Sequence, residues 1–130
     1  MKMKIESIPH QEQRYPTVGD YWQGEDGIEQ IRVSSMPDWR YEALVAVHEL
    51  VELILTRHRG IAEQDISRFD VEFEQSREKA LVTGEPGDHP NAPYRKEHFF
   101  ATNVERLLAA ELDVDWFEYD RLVDALGVKK

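Results

Sequence analysis

Within one short stretch, His48-Glu49-Leu50-Val51-Glu52 sets an imidazole beside two carboxylates at a spacing that suits metal-assisted chemistry. Wound as a helix, His48 and Glu52 stand about 40° apart around the axis and one turn apart along it, so both side chains reach a common point. Glu49 lies about 100° from His48 on the same polar side, placed to address a water held by a metal and not the metal itself. Further along, His98 and Glu105 are nearly eclipsed on a helix and share their face with Ala101, Thr102 and Ala109. Small side chains there let another helix approach closely. Such a face can dock on the His48/Glu52 stripe and supply His98 as a third ligand, and two histidines with one glutamate form a known catalytic zinc set.

His48-Glu49-Leu50-Val51-Glu52, preceded by a small sheet and completed by a downstream ligand, resembles the zincin-type metallopeptidases. The resemblance implies His48 as first ligand, Glu49 as the base that polarises the attacking water, Glu52 as second ligand and His98 as third. It also implies a peptide or protein substrate. Glu52 stands where that superfamily carries its second histidine, and a carboxylate-rich set suits manganese or iron as well as zinc. The general style of the chain also resembles small phage or prophage proteins.

A plainer reading exists for the same residues. Asp38, Tyr41, Glu42, His48, Glu49, Glu52, Thr56 and Arg59 form one polar stripe, and most such stripes are the solvated face of a helix. Other residues join the candidate list. Glu105 is a further ligand candidate. His89, beside Asp88 in a proline-rich loop, is a turn residue or a cap over the site. Tyr94, one turn before His98, is a hydrogen-bond donor to a substrate or a packing aromatic. Glu97 is an outer acid or an ion-pair partner of Lys or Arg. Trp22, Trp39 and Trp116 read as core or interface anchors, and His10 has no assignable partner.

The elements that must position these groups follow from periodicity. Lys2 to Ile8 alternates, Ile28 to Val33 is rich in β-formers, and Asp20 to Gln23 can pair with it through Gly24-Glu25-Asp26-Gly27. The expectation is a small antiparallel N-terminal sheet of two or three strands, which needs a helix over one face. Asp38 to Arg59 is that helix. Ser35 or Asp38 caps it, Pro37 sits in its first turn and Gly60 ends it. Its apolar arc of Leu44, Val47, Leu50, Val51, Leu53, Ile54 and Leu55 spans roughly 200°, wide enough to pack on two sides. Asp65 to Leu81, with Ile66, Phe69 and Phe73, is an amphipathic outer helix. After the loop Gly84 to Pro93, a helix capped by Asn91 runs from Pro93 to Leu112, and a last helix starts at Asp113 or Asp115. The expected architecture is α+β over one domain, 1–130, with a sheet on a central helix followed by two to three further helices.

Composition narrows the chemistry. With no cysteine, any metal must bind through nitrogen or oxygen, and thiol nucleophiles are excluded. No apolar run is long enough to span a bilayer and the N-terminus lacks a secretory h-region, so the cytoplasm is the expected compartment with no membrane partner. The net charge of -10 repels phosphate backbones, and no nucleic-acid partner is expected. Arg57, His58 and Arg59 close a helix, where cations complement its dipole. Three functions fit: a metal-dependent hydrolase, a non-catalytic phage or bacterial protein with a structural metal or polar core, and an acidic adaptor for a basic partner.

Overall fold

Alternating side chains and a glycine-bounded turn build the sheet that the computed structural model contains; residues 1–128 are described. Strand β2 (Gly19–Gln23) and strand β3 (Glu29–Ser34) pair antiparallel, with Tyr21 opposite Ile31. Their turn closes through Gly24 N–H to Ile28 O and Gly27 N–H to Gly24 O, both 2.9 Å. Gly27 takes φ +80°, a conformation glycine adopts without a Cβ penalty. Strand β1 (Met3–Ile8) joins the other edge of β3 in parallel, with Ile5 beside Ile31, so the sheet is mixed and its order is β1-β3-β2. The antiparallel expectation therefore holds for the hairpin and fails for β1. Parallel pairing needs a long connection, and residues 9–28, which include β2 itself, supply it.

Helix α1 (Trp39–His58) covers β2 and β3. Asp38 caps it by accepting from Arg40 N–H at 2.9 Å, Pro37 lies just before the cap, and Gly60 at φ +67° follows its end. Ile31, Val33, Leu44 and Leu53 are almost wholly buried in the resulting core, worth about 1.5–3 kcal/mol per side chain. Helix α1 is buried on two sides, as its wide apolar arc implies. Yet Ile54 stays about half exposed, while His48, Glu52 and Thr56 are buried. The part of the polar stripe from His48 to Thr56 thus faces inward, while Arg59 at its end is exposed.

Helix α2 (Glu63–Glu78) buries Ile66 and Phe73. Helix α3 (Arg95–Glu111) lies along α1, and its fully buried Ala101 and Ala109 allow the close approach. Asn91 does not cap α3; Tyr94 holds the N-cap position and makes no capping bond with its side chain. Helix α4 (Trp116–Val128) starts where Asp115 Oδ1 accepts from Phe117 and Glu118 N–H. The architecture is α+β. The basic residues ending α1 tie the layers together: Arg57 pairs with Glu29 and Glu63, and Arg59 with Glu97. Among the described residues no helix is long and apolar enough to cross a membrane.

Candidate metal centre

Helices α1 and α3 bring His48, Glu52 and His98 to one point, each at most 6% exposed, and the three can hold a metal ion. His48 Nδ1–H donates to Glu105 Oε1 at 2.7 Å, and Glu105 Oε2 accepts from the Tyr119 hydroxyl. A carboxylate only accepts, so the proton of a neutral His48 sits on Nδ1. That turns the Nε2 lone pair toward Glu52 Oε2, 2.6 Å away. His98 has the complementary arrangement, with Nε2 3.3 Å from Asp88 Oδ1 and Nδ1 2.6 Å from the same Glu52 oxygen.

The two inward nitrogens are 3.1 Å apart. With both inward nitrogens unprotonated, three lone pairs point at one another. With both rings protonated, two N–H groups do so instead. A divalent cation at the common point removes both conflicts, and the donor set is that of a known catalytic zinc site. Ligands about 2.1 Å from a tetrahedral ion lie roughly 3.4 Å apart, so small side-chain rotations open the triangle enough to admit one.

The electrostatics agree. Burial opposes charge on His48, yet the Glu52 charge and the bonds to Glu105 and Glu52 raise its pKa well above the ordinary value. His98 is likewise raised to about 10, with burial overcome by the Asp88 and Glu52 carboxylates. Glu52 falls to about 2 despite its burial because both histidines hold it ionised. Glu49 moves the other way, pushed well up by burial and by the Glu52 charge. The cluster favours added positive charge at its centre.

Glu49 lies against β2, where a Cβ on Gly19 would fall 2.8 Å from Glu49 Cγ. It lines, with His48, Glu52 and His98, a cavity of about 380 Å³ walled by β2, α1, α2, the 84–88 strap, α3 and α4. Gly87 in that strap lies flat on the His98 ring; a Cβ there would be 2.3 Å from His98 Cγ and 2.4 Å from Nδ1.

The remaining candidates separate. Glu105 stands behind His48 as its hydrogen-bond partner, on the nitrogen that faces away from Glu52. Glu97 is outside the site, buried and paired with Arg59 at 2.6 Å. His89 does not line the cavity; its ring packs on Phe69 and Phe73 and its Nδ1 accepts from Asn91 N–H. Tyr94 does line it, but its hydroxyl is engaged by Asp70. Of the tryptophans, Trp116 packs on Tyr119, Trp22 lies under Arg14 and Arg32, and Trp39 is 68% exposed, outside the core.

Sequence reasoning missed Asp88 and Tyr119 as partners of the site, and Asp70, a buried carboxyl bonded by Tyr15 and Tyr94. Helical spacing places Asp70 and Glu74 one turn apart beside Phe73, the signal that a polar pair shares the inner face. His10 also finds a partner, Ser34 Oγ at 2.8 Å. No protein-family model, curated protein or solved structure matches the chain.

Proposed function

We propose that the chain is a metal-dependent hydrolase of zincin-like type, in which His48 Nε2, Glu52 Oε2 and His98 Nδ1 hold the ion and Glu49 is the general base. The carrying observation is the convergence of these three acceptors at the floor of a cavity that Glu49 also lines. When bound, zinc, or manganese or iron, supplies Lewis acidity that makes a water acidic and a scissile carbonyl electrophilic.

The chain does the rest. Glu105 fixes the outward nitrogen of His48, which sets its tautomer, and the packing of Gly87 orients the His98 ring. Glu49 takes the proton from the attacking water and returns it to the leaving group, the exchange a carboxylate beside a reacting bond performs. The substrate class is a peptide or protein. Asp20, Asp70, Glu74, Glu85, Asp120 and Asp124 also line the cavity, and such a wall disfavours phosphate-bearing ligands.

Glu49→Gln is expected to keep one stoichiometric ion while lowering hydrolysis of a mixed peptide pool by roughly 10²–10⁴-fold. Protein reloaded with zinc or manganese that retains neither metal overturns the reading. A structural metal site is the second reading, favoured by the near-complete burial of all three ligands. It predicts that His48→Ala lowers the melting temperature while no peptide in the pool is cleaved by the wild type.

A further inference from the structure

The His98 ring has a second functional edge. Its Nε2 is buried and makes no hydrogen bond, although the ring as a whole is only 4% exposed. Asp88 Oδ1 lies 3.3 Å from it, off the hydrogen-bonding line. Glu85 joins the pair, so that donor atoms of Glu85, Asp88 and His98 fall within 4.8 Å of one another.

A separation of 3.3 Å is long for a charge-assisted hydrogen bond, which runs about 2.7–2.9 Å. It is close to the roughly 3.4 Å between two ligands that sit about 2.1 Å from one tetrahedral ion. Glu85 and Asp88 belong to the strap pressed on His98 through Gly87, so backbone packing holds the carboxylates over this nitrogen. Charge points the same way. The cavity walls carry ten carboxyl groups, of which burial holds Glu49 and Asp70 toward the neutral form, and two arginines, Arg14 and Arg77, so one divalent ion at the floor leaves negative charge uncompensated.

We infer that Glu85, Asp88 and His98 Nε2 form a second divalent-cation site at the cavity mouth, bridged to the inner site by the His98 imidazole. The bridge rests on the reading that the inner site holds a metal. A ring that gives both nitrogens to cations is an imidazolate, so binding of the second ion breaks the remaining N–H bond and releases one proton to solvent. The two ions together lower the pKa of that proton, as a single cation does for its other ligands.

The test is a zinc titration of metal-free full-length protein, read by calorimetry in two buffers of different ionisation enthalpy and by elemental analysis after desalting. Wild type is expected to bind two ions, the second with release of one proton. Glu85→Gln/Asp88→Asn, altered only at exposed side chains, is expected to bind one, with a melting temperature in the metal-free state within a few degrees of wild type. With copper(II), the wild type is expected to lose paramagnetic signal intensity through coupling across the ring, and the double variant to keep the full signal of one isolated ion.

One ion in both proteins overturns the bridged site and leaves the inner site standing. Two ions in both puts the second elsewhere and overturns the assignment. No ion in either overturns this inference together with the function on which it rests.

Discussion

His48 and Glu105 meet across the interface of α1 and α3, Nδ1 2.7 Å from Oε1, with Tyr119 of α4 bonded to the far oxygen of the same carboxylate. This relay crosses three helices and sets which nitrogen of His48 is free to face Glu52. Removing it leaves the ligands present but unaimed. Glu105→Ala is expected to weaken zinc binding by 10–100-fold, the usual cost of losing such a partner. Tyr119→Phe, which only releases one oxygen of Glu105, is expected to cost less. Competition against a chromogenic chelator measures both, and unchanged affinity in Glu105→Ala would remove the relay from the account.

Metal should also stabilise the fold, because its ligands come from two helices that must stay docked. A ligand at a hundred times its dissociation constant adds about 2.7 kcal/mol. For a chain of this length that is a rise of roughly 10 °C in melting temperature. Differential scanning calorimetry with and without chelator is expected to show this shift in the wild type and a clearly smaller one in His48→Ala, where only the outer group of Glu85, Asp88 and His98 is intact. An equal chelator effect in the variant would place the bound metal somewhere other than the triad.

Much of this arrangement is legible before any coordinates, for a definite reason. His48, Glu52, His98 and Ala101 sit on helices whose 3.6-residue period fixes which side chains share a face, and docking of the two faces follows from small residues alone. The β2–β3 hairpin beside the site is equally local, since Gly24 to Gly27 joins two short β-prone runs. What periodicity does not carry is non-local pairing. The parallel docking of β1, the carboxylate of Asp88 against His98 and the ion pair of Glu97 with Arg59 each join segments whose approach is set by tertiary packing. For His89 the sequence leaves a turn residue and a cap over the site as alternatives, and the tertiary packing of its ring on two phenylalanines of α2 decides for the former.

Gly87 is expected to be intolerant of even the smallest side chain. A Cβ would overlap the His98 ring at 2.3 Å, and that ring is held by Glu52 on one edge and lies between two helices. Either the strap lifts, carrying Asp88 away from Nε2, or the ring rotates away from the triad. Gly87→Ala should therefore destabilise the protein by about 1–3 kcal/mol, as overpacking does, and weaken zinc binding in the same step. Gly84→Ala offers the contrast: no atom lies within 4 Å of a Cβ there, and its φ of +84° strains the backbone without touching the ring. It should lose stability while keeping zinc affinity, and equal affinity loss in both would show that the strap acts as a whole and not through the contact at Gly87.

Asp70 gives the fold a pH dependence of its own. Burial pushes its carboxyl to about 7, helped by the nearby charges of Glu52 and Asp20, and the bonds from Tyr94 and Tyr15 only partly offset this. The unfolded carboxyl titrates near its ordinary value of 3.8, so between these limits the folded chain binds the extra proton. Stability from this group is then complete below about pH 4 and is lost as the pH rises through 7. The span of about three units corresponds to no more than about 4 kcal/mol. Asp70→Asn keeps an oxygen to accept from one tyrosine hydroxyl, presents an amide N–H to the oxygen of the other, and carries no charge to bury. Chelator-treated protein unfolded in urea at pH 5 and pH 8 is expected to show a smaller loss between those values in the variant than in the wild type, and a higher midpoint for the variant at pH 8. If the two proteins lose the same stability over that interval, Asp70 is not the group that titrates.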